Sequence, residues 1–184
     1  MRLKKLTICS ILFLLCSNIF AQQLHEGQLR WSSTRKLVES DFKIKVSSIK
    51  NTPIFSQFTI GHTIGGLDFF RKNFNQKIDN IFLGDASWIE NTGNYNIEEL
   101  IAYQQIQFDI AEITARKFRK KILENKSKIA NGIDFVNKMS QDIMTEFSKQ
   151  RLLLEKETES GTNKEILKQW QEKVALELLE LDEF

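Results

Sequence analysis

The pattern of apolar positions divides the chain into a first part with strand periodicity and a second part with helical periodicity. Alternating apolar and polar or small side chains predict a half-buried strand over residues 56–64. Its inward face carries Phe58, Ile60, His62 and Ile64. Residues 78–83 predict another short strand. The pattern therefore places a small sheet ahead of the helices.

Turn signals separate these strands from each other and from the helical part of the chain. Gly65-Gly66 permits a tight reversal after the first of them, because glycine adopts backbone angles that other residues avoid. Gly84-Asp85 predicts a turn after residue 83. Trp88-Ile89 then forms a short apolar pair, which predicts a buried anchor beyond that turn.

Three amphipathic segments make up the helical part. The first predicted helix opens with Asn96 as its cap and Glu99 reaching back to it. Its inward stripe has helical spacing and comprises Ile97, Ile101, Gln104, Phe108, Ala111, Ala115, Phe118 and Ile122. The second helix spans roughly residues 132–159 and is terminated by Gly161, and the third opens with a capping box of Thr162 and Glu165. We predict an α+β fold, with a small antiparallel N-terminal sheet packed on three long helices.

The first 21 residues have the pattern of a secretory signal peptide. Arg2, Lys4 and Lys5 precede an apolar run that ends at Ala21, and the run is too short to predict a membrane span. We therefore predict a mature chain of residues 22–184, folded as one domain. Its expected location is the periplasm or the exterior of a bacterial cell.

Removal of this segment changes both the charge and the cysteine content. It takes away three of the 26 basic residues, which leaves 23 against 24 acidic ones, so charge gives no support for nucleic-acid binding. Both cysteines, Cys9 and Cys16, lie within it. Histidine chemistry in the mature chain would depend on His25 and His62. The charged run over residues 116–128 is expected to be a solvated helix end.

A polar cluster interrupts the apolar surface of the first helix. Tyr103, Gln104 and Gln107 fall where a zinc-protease helix carries the His, Glu and His of a His-Glu-x-x-His motif. Such a motif sets two imidazoles one turn apart to hold Zn²⁺, with the Glu as general base. Tyr and Gln supply neither strong zinc ligands nor a base.

Further segments extend this likeness along nearly the whole mature chain. The chain resembles the bacterial secreted family known as domain of unknown function 922, described as predicted secreted Zn-dependent proteases. The segments that carry the resemblance are Trp31, residues 37–42, Ser87-Trp88, residues 108–112 with Arg116, residues 157–161, and Gln169-Trp170. The resemblance implies a zincin-like fold and a zinc cofactor. At the family's later His position, a candidate third ligand, stands Ser160.

The departures from the family therefore coincide with the expected chemistry. Tyr103, Gln104, Gln107 and Ser160 replace ligand and base positions, so we predict no metal and no cofactor in this protein. The cluster has two interpretations. It is either a hydrogen-bonded polar patch inside a helical core or the remnant of a binding site.

Three other residues offer a residual site. Asp109 and Glu112 lie three positions apart on the helix, although Arg116 is the obvious ion-pair partner of Glu112. His62 lies on an apolar strand face, where a structural role is the simpler expectation. The leading functional prediction is an inactive zinc-peptidase homologue that binds a peptide or protein in its former cleft. The alternatives are a secreted zinc-dependent hydrolase using Asp109, Glu112 or His62, and a purely structural module.

Overall fold

The structure is a computed structural model, and it describes residues 24–46, 53–64, 67–90, 95–129, 132 and 134–184. The predicted signal peptide and the Gly65-Gly66 reversal lie outside these residues. The predicted α+β class is confirmed. Within the described part of the chain, no helix is long and apolar enough to cross a membrane.

Over the described ranges, six short strands form two sheets of three strands each. They are β1 (Gln28–Arg30), β2 (Ile44–Val46), β3 (Ile54–Phe55), β4 (Phe58–His62), β5 (Ile78–Leu83) and β6 (Trp88–Glu90). The first sheet is antiparallel, with the order β1-β5-β4. The second has the order β2-β6-β3, and its β2-β6 pair is parallel. The single antiparallel sheet of the prediction is thus two sheets, one of them mixed.

The predicted strands at residues 56–64 and 78–83 correspond to β4 and β5. Phe58 pairs with Phe82 across the two strands, and both side chains are buried. Alternate positions of β5 face the core, as the period of two requires. Beyond the Gly84–Ala86 turn, Ile89 is fully buried, whereas Trp88 is half-buried and stacks on the Phe55 ring at 4.3 Å.

Four helices follow the sheets in the described residues. They are α1 (Ile97–Glu124), the single-turn α2 (Lys126–Ile129), α3 (Asp134–Glu157) and α4 (Lys164–Glu180). The Asn96 side chain caps α1, as predicted, by accepting from the backbone N–H groups of residues 98 and 99. The carboxylate of Glu99 accepts a hydrogen bond from Lys164 at 2.6 Å. The predicted cap of the third helix is wrong by one residue, because Asn163 accepts from Ile166 N–H in place of Thr162.

Helix α1 runs through the centre of the fold. It packs on β4 and β5 on one side and on α3 and α4 on others. From residue 103 to residue 116, every side chain except Gln105 is buried. The predicted inward stripe is buried from Gln104 to Ile122, and in the middle of the helix neighbouring elements cover the other sides as well.

An aromatic cluster joins α1 to the first sheet. Phe108 stacks on Phe58 at 5.3 Å, and Phe82 lies at an angle to both rings. Burying side chains of this size contributes about 1.5–3 kcal/mol each. A direct polar link adds to the contact, because the buried Asn80 side chain donates to the backbone oxygen of Phe108 at 3.1 Å. This packing fixes the rotation of α1 about its axis and with it the direction of Tyr103, Gln104 and Gln107.

Candidate functional site

The four polar residues that the sequence analysis compared with a zinc site all line one cavity. Tyr103, Gln104 and Gln107 reach it from α1, and Ser160 reaches it from the turn between α3 and α4. The cavity has a volume of about 620 Å³. We call it the amide cavity. The remaining lining residues are Pro53, Ile54, Phe55, Gln57, Phe58, Leu100, Met144, Phe147, Ser148, Arg151, Leu152 and Glu155.

The turn after α3 is pressed against the start of this helix segment. Helix α3 ends at Glu157, two residues earlier than predicted, and Glu159 and Ser160 both have positive φ angles. Gly161 follows with φ +90°, and a Cβ atom added there would lie 2.8 Å from Cγ of Tyr103. Only a residue without a side chain permits this approach. Gly161 therefore has a packing role beyond terminating α3.

The two amides form a short hydrogen-bonded chain that ends on an arginine. Gln107 donates through Nε2 to Oε1 of Gln104 at 3.2 Å. Its own Oε1 accepts from Nε of Arg151 at 2.8 Å. Both glutamines are almost wholly buried, with exposures of 3% and 5%. Both polar atoms of Gln107 and the side-chain oxygen of Gln104 therefore have partners, as is usual for buried amides.

Arg151 is held between two aromatic rings. Its guanidinium lies 5.6 Å from the ring centres of both Phe58 and Phe147, within cation–π range. Burial lowers the pKa of Arg151, with Tyr103 and Glu155 acting in the opposite direction. Burial, reinforced by the nearby Glu155, raises the pKa of Tyr103 to about 12. The phenol is thus a neutral hydrogen-bonding group at ordinary pH.

The donor set of the amide cavity does not fit zinc. Zinc sites use imidazole, thiolate or carboxylate ligands, and this lining has a single carboxylate, Glu155, among amide, phenol, hydroxyl and guanidinium groups. Arg151 adds a positive charge directly beside Gln107, which opposes a bound cation. Among the residues that the structure describes, no group of three or more His, Cys, Asp and Glu side chains is placed to hold a metal ion.

Glu112 lies in a separate ionic cluster formed with Arg116 and Arg119. Glu112 accepts from Nε of Arg116 at 3.2 Å and from Arg119 at 2.8 Å. Arg119 also donates to the backbone oxygens of Ile78 and Phe184. The predicted Glu112–Arg116 pair is present. The expectation of a solvated helix end from residue 116 is wrong for both arginines, because they are largely buried and tie α1 to other elements.

The carboxylate of Asp109 accepts hydrogen bonds from a different set of side chains. Its Oδ1 accepts from Trp31 Nε1 and from Gln105, both at 2.7 Å, and Lys36 approaches Oδ2 at 3.5 Å. The ring of Trp31 in turn lies under the guanidinium of Arg116 at 5.1 Å. These contacts hold the loop before β2 on α1. They give Asp109 a structural role.

His62 is not part of either cluster. It lies at the end of β4 and meets the edge of Phe118, with ring centres 5.8 Å apart. Its Nδ1 atom is buried and has no hydrogen-bond partner among the described residues. Burial lowers the pKa of this imidazole, so the neutral form is favoured.

A second cavity, of about 810 Å³, lies on the opposite side of α1. The row Ile97, Ile101, Gln105 and Asp109 lines it, whereas Leu100, Tyr103, Gln104 and Gln107 line the amide cavity. At about 3.6 residues per turn these two rows face apart. The second cavity is mainly apolar. Of its three lining carboxylates, Asp109 has three partners, Glu39 pairs with Lys45 and Glu98 is exposed.

Arg151 is the functional candidate that sequence patterns alone did not indicate. It lies four residues after Phe147 and three before Leu154, on the inward stripe of α3. A charged residue at a core-facing position is the signal that could have identified it.

Comparison of the chain with family models, with curated proteins and with solved structures gives no match.

Proposed function

We propose that this protein is an exported, catalytically inactive relative of zinc peptidases that binds an extended segment of a peptide or protein in the amide cavity. The observation that carries the proposal is the meeting of Tyr103, Gln104, Gln107 and Ser160 at one cavity. Ser160 is far in sequence from the other three. An ordinary core patch on α1 would not require the later turn to reach the same place.

The chemistry of the cavity favours binding over hydrolysis. A zinc peptidase needs a metal to activate water and a base to take its proton. Gln104 stands where that base would be, and an amide does not exchange a proton near neutral pH. Amides and a neutral phenol are, however, good donors and acceptors for a peptide backbone.

The size and lining of the cavity agree with a short peptide segment. Its volume of about 620 Å³ falls within the range of about 300–1,000 Å³ that is usual for ligand sites. Apolar side chains from β3, β4 and α3 surround the polar groups, among them Phe55, Phe58 and Phe147. Such a mixture of apolar walls and few polar groups is typical of binding pockets.

A cavity-blocking variant tests the proposal. Ser148 is exposed on α3, lines the cavity and donates to the backbone oxygen four residues earlier. Thr145 is equally exposed on the same helix and makes the same kind of bond, but does not line the cavity. We expect wild type and Thr145→Trp to select common sequences from a bead library of random octapeptides. Ser148→Trp should lose that selection.

Two outcomes would contradict the proposal. One is the absence of any enriched sequence on folded wild-type protein. The other is equal enrichment on Ser148→Trp, which would place the binding site elsewhere.

Mass spectrometry of protein secreted from a bacterial host tests the export part separately, since the expected N-terminus is Gln22.

A further inference from the structure

The amide cavity is lined by an arginine whose guanidinium group is only partly hydrogen-bonded. Nε of Arg151 donates to Gln107, whereas its two terminal nitrogens make no hydrogen bond to any described residue. These nitrogens are also not sealed from solvent, since they are not among the fully buried unpaired atoms. Arg151 therefore presents two parallel N–H donors to the cavity that it lines.

The only acidic residue in the described cavity lining does not neutralise this arginine. Glu155 lies one helical turn after Arg151, where opposite charges often pair. No ion pair within 4.0 Å joins the two among the described ion pairs. The bond to Gln107 and the rings of Phe58 and Phe147 instead hold the guanidinium in place.

We propose that Arg151 binds a carboxylate group of the peptide ligand, an inference that rests on the proposed function. A guanidinium held at Nε leaves a fork that matches the two oxygens of a carboxylate. The aromatic rings on either side keep it partly out of water, where such a bond is stronger than at an open surface. Gln104 and Gln107 set the direction of the fork.

The charge balance favours a carboxylate over a phosphate. One arginine compensates a single negative charge, and Glu155 would repel the second charge of a phosphate monoester. The neutral Gln104, Gln107 and Tyr103 are available to the adjoining peptide group. The ligand class is therefore a peptide that places a terminal or side-chain carboxylate beside apolar residues.

Three defined peptides test this assignment. The first is N-acetyl-leucyl-leucine with a free carboxylate, and the second is the same compound as its carboxamide. The third is N-acetyl-leucyl-aspartyl-leucine amide, whose carboxylate lies on a side chain. We expect at least one carboxylate-bearing peptide to bind about 10-fold to 100-fold more tightly than the carboxamide, as for a charge-assisted hydrogen bond. The Nε–H resonance of Arg151 should shift during that titration.

Matched variants separate this role from a structural one. Arg151→Gln should abolish the preference for a carboxylate, and Arg151→Lys should retain part of it because the charge remains without the fork. Arg71→Gln removes the same charge at an exposed position outside the cavity and should change nothing. Circular dichroism and thermal unfolding establish that each variant is folded.

The possible failures are distinguishable. Equal binding of carboxylate and carboxamide peptides to wild type, unchanged in Arg151→Gln, would overturn the assignment while leaving peptide binding in place. The absence of a response to all three peptides would also overturn it. The bead selection with Ser148→Trp decides the proposed function independently. A preference preserved in both folded Arg151 variants would place the carboxylate at another residue.

Discussion

Helix α1 contains two buried polar regions with opposite properties. In its amino-terminal half, Tyr103, Gln104 and Gln107 are neutral groups that border a cavity. In its carboxyl-terminal half, Glu112 and Arg116 are charged, and their partners lie within the fold. Buried charges are tolerated only when they are paired, whereas neutral amides can border open space at little cost.

This difference assigns the two regions different roles. The arginines of the ionic cluster donate hydrogen bonds that hold β5, α4 and the end of the chain to α1. The amide region leaves the fork of Arg151 and the Tyr103 hydroxyl available at the cavity. We expect substitutions in the first region to change stability, and substitutions in the second to change binding.

The largest expected effect is at Glu112. Glu112→Gln removes the charge that two buried arginines share, and loss of one member of such a buried group costs about 3–5 kcal/mol in the free energy of unfolding. Glu177→Gln is the control, because the Lys117–Glu177 pair is more exposed and should contribute less than about 1 kcal/mol. Urea denaturation measures both. If Glu112→Gln lowered the free energy of unfolding no more than Glu177→Gln, the proposed difference between the two regions would be contradicted.

The next effect concerns the contact between the α3–α4 turn and Tyr103. Gly161→Ala combines a positive φ angle with a Cβ atom 2.8 Å from the ring, and we expect a loss of about 2–3 kcal/mol. Gly132 also has a positive φ angle but has open space around its Cβ position, so Gly132→Ala should cost about 1–2 kcal/mol. Thermal unfolding compares them. Equal losses would mean that the turn is not held tightly on Tyr103.

A smaller effect is expected from the amides themselves. The double variant Gln104→Met with Gln107→Met replaces a hydrogen-bonded pair by side chains of similar volume, so stability should change by about 1 kcal/mol or less. Peptide binding should fall, because Arg151 loses the group that orients its fork. Denaturation and titration with the leucyl peptides provide the two readouts. A loss of stability comparable with that of Glu112→Gln would make the amides structural.

The smallest effect is confined to alkaline pH. Because the pKa of Tyr103 rises to about 12 in the fold from an ordinary value of 10.0, folding favours the neutral phenol. The stabilisation is complete below pH 10.0 and is lost as the pH rises towards about 12. Tyr103→Phe should therefore show a shallower decline in stability over this interval, whereas Tyr95→Phe, at an exposed position, should not. Parallel declines in wild type and Tyr103→Phe would contradict the buried position of the phenol.

The sequence predicts local features of this fold better than its arrangement in space. Strand β5 and the Asn96 cap follow from periodicity and side-chain chemistry that act over a few residues. The division into two sheets does not, because pairing of β2 with β6 joins segments more than 40 residues apart. The burial of Arg116 was missed for a related reason, since its partners Trp31 and Leu178 come from distant segments.

The candidate site likewise combines residues that the sequence locates with one, Arg151, that it does not. Residue spacing placed Tyr103, Gln104 and Gln107 on one face of a helix, and the structure has them there. Arg151 could not be found from the zinc motif, because its contribution depends on the packing of α3 against α1 and β4. Residue spacing locates side chains that are close in sequence, whereas partners from other elements become visible only in the fold.

Our central proposal is that the amide cavity has the geometry of a zinc site but lacks its donors. Calorimetric titration of zinc tests it in wild type and in the quadruple variant Tyr103→His, Gln104→Glu, Gln107→His and Ser160→His, alone and with Arg151→Gln to remove the opposing charge. The account predicts no specific binding by wild type and stoichiometric binding by the quadruple variant, stronger after the Arg151 change. Tight binding by wild type, or no binding by either variant, would contradict it.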